Sequence, residues 1–261
     1  MYVNSHDGAR IYAQVEGDSD APAILLSNSL GTRLEMWDWQ MPALLKHFQV
    51  IRYDSRGHGR SDAPEGPYSI DSLARDALAV LDAVGVQRAH VLGLSKGGMI
   101  GQWLGANAPE VVDRLILANT SAHLPPRELW DQRIEATRQG MQALEQGILE
   151  RWFTAGFLRS HRQDVEKVRE MIRSTPPQGY AGCCAAIRDM DQRGALGRIQ
   201  APTMVIAGEK DPATTLAMAE ELVGGIANAK LVVFDNTAHL SNVERAEDFS
   251  QAVMSFLGAA L

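Results

Sequence analysis

Cysteine is almost missing from this chain: there are two in 261 residues, Cys183 and Cys184, and they are adjacent. Sequence neighbours are too close for an unstrained disulfide, and no second pair exists to complete a zinc site. Both read as packing residues in a reducing compartment. A long apolar run is missing too, which excludes a helical membrane span. The start, Met1-Tyr2-Val3-Asn4-Ser5-His6-Asp7, lacks the basic-then-apolar layout of a signal peptide, so the expected location is the cytoplasm. There is no basic excess either: 25 Lys and Arg stand against 32 Asp and Glu, for a formal net charge of -7. That balance, with a pI near 5.5, argues against nucleic acid and against an anionic membrane as partner. No internal repeat or low-complexity segment is present.

What is there is an ordinary globular composition, 45% hydrophobic and 22% charged, at a length that suits one large α/β domain with an inserted subdomain. Short β-branched or apolar runs predict strands at residues 23–26, 49–53, 89–92, 114–118, 203–207 and 231–234, with an antiparallel start at 2–4 and 11–16 turning at Asp7-Gly8. Helical spacing appears at 70–84, 99–106 and 246–257, each after a strand. This alternation is the mark of a mostly parallel sheet. It breaks once, between Thr120 and Thr203, where 127–144, 149–157, 164–172 and 179–190 read as helices separated by Pro125-Pro126 and Pro176-Pro177. Residues 1–121 and 199–261 are therefore expected to form the core, and residues 122–198 a helical lid over the carboxyl ends of the strands, where open α/β sheets bind ligands.

The strand at 89–92 runs into Gly93-Leu94-Ser95-Lys96-Gly97, a G-x-S-x-G turn that presents a serine between a strand and a helix. Ser95 is the candidate nucleophile. A serine hydroxyl needs a base, an orienting acid and oxyanion donors, here in the chain order Ser, acid, His. His239 follows the last strand in Asn236-Thr237-Ala238-His239, where a side chain can reach the top of the sheet. His6, His47, His58, His90, His123 and His161 read as surface or polar-network histidines. The acid is expected on Gly208-Glu209-Lys210-Asp211-Pro212. Asp211 is preferred to Glu209, which comes too soon after its strand, whereas Pro212 stiffens the turn behind Asp211. The oxyanion amides are expected from Lys96, after the nucleophile, and from Ser29 in Ser27-Asn28-Ser29-Leu30-Gly31.

These residues resemble the α/β-hydrolase fold over essentially the whole length, and Asp54-Ser55-Arg56-Gly57-His58-Gly59-Arg60-Ser61 is similar to the glycine-rich turn many such proteins carry after the fourth strand. The resemblance implies an eight-stranded, mostly parallel sheet with helices on both faces and an inserted helical lid. More narrowly, Ser27-Asn28-Ser29-Leu30-Gly31-Thr32, Gly98-Met99-Ile100-Gly101-Gln102-Trp103, Leu117-Ala118-Asn119-Thr120-Ser121 and His239-Leu240-Ser241-Asn242-Val243-Glu244 resemble 3-oxoadipate enol-lactone hydrolases of the β-ketoadipate pathway. That family opens a carboxylated enol-lactone with no cofactor and no metal.

An anionic lactone or ester calls for a cation in the pocket. Trp130 and Arg133, one helical turn apart in the lid, are the candidates, with Trp152 as an apolar wall. The bland alternative makes Trp130 lid packing and Arg133 a solvated charge. Lys96 departs from the methionine usual at its position. Its side chain either reaches the pocket and binds the acidic substrate, or leaves sideways and is tolerated. Other readings keep the Ser95, Asp211 and His239 set but change the bond: a carboxylesterase, another lactonase or a carbon–carbon bond hydrolase. A non-catalytic ligand-binding protein of the same fold stands further off, and a homo-oligomer is compatible with the sequence.

Overall fold

The computed structural model describes residues 1–259. Eight strands, β1 Tyr2–Asn4, β2 Arg10–Glu16, β3 Ala23–Ser27, β4 Gln49–Tyr53, β5 Ala89–Leu94, β6 Val112–Ala118, β7 Thr203–Gly208 and β8 Ala229–Phe234, form one sheet in the order β1-β2-β4-β3-β5-β6-β7-β8. The β1–β2 and β2–β4 pairs are antiparallel, and all others are parallel. β5 and β7 are buried at every residue, as strands covered by helices on both faces must be, which is why they read as unbroken apolar runs.

Helices α1 Met41–Leu44, α2 Ile70–Val84, α3 Lys96–Asn107, α9 Leu216–Gly225, α10 Ser241–Glu244 and α11 Ala246–Leu257 belong to this core. In α2 the buried Ile70, Leu73, Ala74, Ala77, Val80 and Leu81 follow helical spacing. A Ser69–Ser72 capping box starts the helix, and Gly85 in the left-handed region ends it. Between β6 and β7 lie α4 Arg127–Ala136, α5 Gln142–Trp152, α6 Ala155–Ser160, α7 Arg162–Ser174 and α8 Pro177–Asp189.

Three expectations need correction. The helix read over 127–144 is broken after Ala136 by a 3-10 turn and by Gly140 at φ 85°. The helix read over 149–157 is two helices, because the Thr154 hydroxyl accepts the Phe157 amide and caps a new start. Helix α3 begins at Lys96, not Met99, since the serine turn feeds straight into it. Helices α1, α9 and α10 fell outside the periodicity reading, being short or, for α9, rich in alanine and glycine. Among the described residues no helix is long and apolar enough to cross a membrane.

The topology also sets where a ligand can sit. From β3 the chain moves to β4 on one side and then returns to β5 on the other, so the loops leaving β3 and β5 diverge and open a crevice at their carboxyl ends. The loop holding Ser29 and the turn holding Ser95 are those two loops, aligned by the Ser27–Gly93 register.

Candidate active site

Ser95 sits at φ 57°, ψ -117°, between β5 and α3. For a residue with a side chain this is a strained backbone, and it persists only where the surroundings over-determine it. They do so here. A Cβ at Gly93 would lie 2.2 Å from the Gly97 carbonyl oxygen, and one at Gly97 would lie 2.0 Å from that of Ser27, so both flanks must be glycine for strand and helix to approach this closely. The Ser95 amide donates to the Ala118 carbonyl at 2.9 Å, and the Thr120 hydroxyl donates to the Ser95 carbonyl at 2.7 Å.

Across the sheet, Asp211 follows β7 and His239 follows β8. His239 Nδ1 and Asp211 Oδ2 are 2.7 Å apart with both side chains buried. Asp211 Oδ1 accepts the amides of Ala213 and Thr214, while Oδ2 also accepts the Thr214 hydroxyl at 2.6 Å and the Asn119 amide group at 3.0 Å. Burial pushes this carboxyl up, but the His239 ring and the Thr214 hydrogen bonds outweigh it and hold the pKa at about 2. Glu209 turns outward, accepting the Asn236 amide at 2.8 Å at the surface. With Nδ1 engaged, the other ring nitrogen of His239 is left for the cavity that Ser95 and His239 both line. No hydrogen bond joins Ser95 to His239; both open onto the same space.

Ser29 lines that cavity as well. Neither its amide nor that of Lys96 donates to a protein acceptor among the described residues, so both remain available to an oxyanion. The Lys96 side chain is another matter. It is fully buried, its Nζ has no hydrogen-bond partner, and it does not line the cavity. The expectation that it binds substrate is corrected: it leaves from the first turn of α3 into the core, where burial lowers its pKa.

The cavity holds about 500 Å³, enough for a small organic acid. Trp130, Arg133 and Trp152 all line it. The Trp152 ring stacks on His239 with centroids 6.2 Å apart, and the Arg133 guanidinium lies 5.4 Å from the Trp130 ring and 5.8 Å from that of Tyr180. Among the lining residues that were not anticipated are Arg151 on α5 and Tyr180 on α8. Elsewhere between β6 and β7, Arg169 and Arg173 on α7 and Arg188 on α8 pair with carboxylates. Arg133 and Arg151 do not, and no carboxylate lines the cavity among the described residues. Desolvation, then the Arg133 charge, works against the Arg151 cation. The hydroxyls of Tyr180 and Ser29 are buried without partners. Asn119, at φ 43° after β6, was also missed; its amide group donates to Asp211 and its Oδ1 accepts the Ser241 hydroxyl. An asparagine at a strand's carboxyl end, able to take positive φ, was the available signal.

This arrangement has counterparts. A family model described as alpha/beta hydrolase fold matches residues 22–246. The 3-oxoadipate enol-lactonase 2 of Acinetobacter baylyi is 40% identical over 252 residues, covering 96% of this chain and 94% of that protein. Among solved structures, a hydrolase from Pseudomonas aeruginosa superposes with a TM-score of 0.96 at 47% identity over 99% of this chain and 98% of its own. The enol-lactonase from Burkholderia xenovorans gives 0.96 at 40% identity, over 99% and 100%. The chain therefore belongs to the alpha/beta hydrolase fold family and is a hydrolase.

Proposed function

We propose that this hydrolase opens a carboxylated enol-lactone, 3-oxoadipate enol-lactone, to 3-oxoadipate, a step of aromatic-compound catabolism in the cytoplasm. The observation that carries the reading is the cavity itself: Ser95 and His239 share it with two guanidiniums, Arg133 and Arg151, that lack carboxylate partners. Unpaired arginines facing a partly apolar pocket complement a small anion, and a planar guanidinium matches a carboxylate in particular. The likeness to enol-lactonases of about the same length supports the same substrate class.

In the proposed reaction Ser95 Oγ attacks the lactone carbonyl while His239 takes its proton. Asp211 holds the ring with Nδ1 protonated and stabilises the imidazolium. The amides of Ser29 and Lys96 receive the tetrahedral oxyanion. Collapse expels an enolate, which leaves more readily than an alkoxide and becomes a ketone on protonation by His239. Water, activated by the same histidine, then clears the acyl group from Ser95. Residues 122–198 act as the lid that carries the anion-binding side chains, over a core of residues 1–121 and 199–261.

The test is turnover of enzymatically generated 3-oxoadipate enol-lactone beside p-nitrophenyl acetate. The expected result is a kcat/KM at least about 100-fold higher for the lactone, the scale set by a bound carboxylate. Equal or better turnover of the neutral ester would replace the lactonase with a general carboxylesterase.

A further inference from the structure

His58 lies outside the Ser95, Asp211 and His239 set, in the turn after β4, and is fully buried. Its Nε2 is 2.8 Å from the Gly31 amide nitrogen, and its Nδ1 is 3.2 Å from the Arg56 carbonyl oxygen. A main-chain N–H only donates, so Nε2 must be the unprotonated acceptor; Nδ1 then carries the proton and donates to Arg56. One tautomer of the neutral ring satisfies both bonds, and the imidazolium satisfies only one. Burial, then the charge of Lys96, keeps the ring neutral, well below its ordinary pKa of 6.5.

Gly31 is two residues from Ser29, in the loop that has to present the Ser29 amide. The rest of that loop is also tied down. The Asn28 side chain donates to the Tyr53 carbonyl at 2.8 Å and accepts the Trp37 indole at 2.9 Å, while the Thr32 hydroxyl donates to the Ser29 carbonyl at 2.9 Å. At Gly31 the backbone takes φ 80°, where the chain folds back over the site, and among the described residues His58 alone receives its amide. We propose that His58 is a positioning residue for the oxyanion hole, its neutral Nε2 fixing the Gly31 amide and through it the direction of the Ser29 amide.

This rests on the serine-hydrolase reading above, and the test separates the two. It uses p-nitrophenyl acetate, which needs the oxyanion hole whatever the natural lactone is. In His58→Gln the side-chain oxygen stands near the position of Nε2 and can still accept from Gly31; in His58→Asn it stops near Nδ1 and cannot; His58→Leu accepts nothing. Acylation and deacylation both pass through an oxyanion, so both slow together when the hole is misaligned. The expected result is a kcat about 10- to 100-fold lower in His58→Asn and His58→Leu, with KM within about 2-fold and with kcat substantially restored in His58→Gln. Equal kcat losses in the Gln and Asn variants, or losses carried by KM, would overturn the proposal. A measurement on the unaltered protein stands beside these: nitrogen-15 shifts of His58 should show a neutral ring protonated at Nδ1 between about pH 5 and 8. Protonation at Nε2 would overturn it whether or not the variants fold. If Ser95→Ala keeps full turnover, the hydrolase reading of the site fails; if Ser95→Ala is inactive and His58→Asn is normal, only the role of His58 fails.

Discussion

Replacing Lys96 by methionine should make this protein more stable. The Lys96 side chain is fully buried and its Nζ finds no acceptor. The two carboxylates in electrostatic reach are already committed: Asp76 to Arg56 and Ser5, Asp54 to the amides of Leu34 and Arg60. A buried polar group without a partner costs about 1–3 kcal/mol, and a charged one more. Methionine keeps nearly the same length, removes the polar head and adapts to irregular gaps, at a packing loss below about 1.5 kcal/mol. The net gain is about 1–3 kcal/mol, which for a chain of this size raises Tm by roughly 3–10 °C. The gain must also depend on pH. Burial lowers the Lys96 pKa from 10.5, so below 10.5 the unfolded chain binds more protons than the folded one, and native stability rises with pH between the folded value and 10.5. The advantage of methionine is therefore full below the folded-state value and narrows as pH rises from there toward 10.5. Urea unfolding of both proteins at stepped pH reads this directly. A loss of stability in Lys96→Met, or a gain that does not change up to about pH 10.5, would refute the reasoning and mean that the ammonium is compensated in place.

The remaining predictions concern the chemistry. Ser95→Ala should lower kcat by about 10⁴- to 10⁶-fold with an unchanged unfolding curve, and single-turnover assays for an acyl-enzyme should find none. Asp211→Asn should cost about 10⁴-fold through the wrong His239 tautomer, while Glu209→Gln, at the surface, should stay within about 2-fold; the reverse pattern would reassign the acid. Because the Asp211 pKa is held at about 2, below its ordinary 3.8, its stabilising contribution is present above about pH 4 and is lost as pH falls toward 2. The acid limb of the stability profile should therefore be shallower in Asp211→Asn by about 2 kcal/mol. Arg133→Ala and Arg151→Ala should each lower kcat/KM for the anionic lactone about 10- to 100-fold and for p-nitrophenyl acetate less than about 3-fold; equal losses on both substrates would assign these arginines to lid structure.

Some of this molecule could be read before any tertiary contact was known, because the responsible forces act over a few residues. A fully buried strand must be apolar throughout, so β5 and β7 announced themselves, and the α2 stripe followed from helical periodicity. The Ser95 turn is legible because only glycine tolerates the 2.0–2.2 Å approaches at Gly93 and Gly97. His239 and Asp211 could be placed because each follows a parallel strand, and in a parallel sheet all such loops emerge at one edge. Folding in space decided the rest. Whether Lys96 faced the pocket or the core depended on how α3 docks on the sheet, and it faces the core. Arg151 and Tyr180 joined Arg133 only when α4, α5 and α8 packed together, after Gly140 and Thr154 had divided what looked like longer helices. Asn119 reaches Asp211 across 92 residues of chain, and His58 reaches Gly31 across 27. Those hydrogen bonds join loops from different strands, so no local pattern records them; they exist because the strand order brings β3 beside β4 and β6 beside β7.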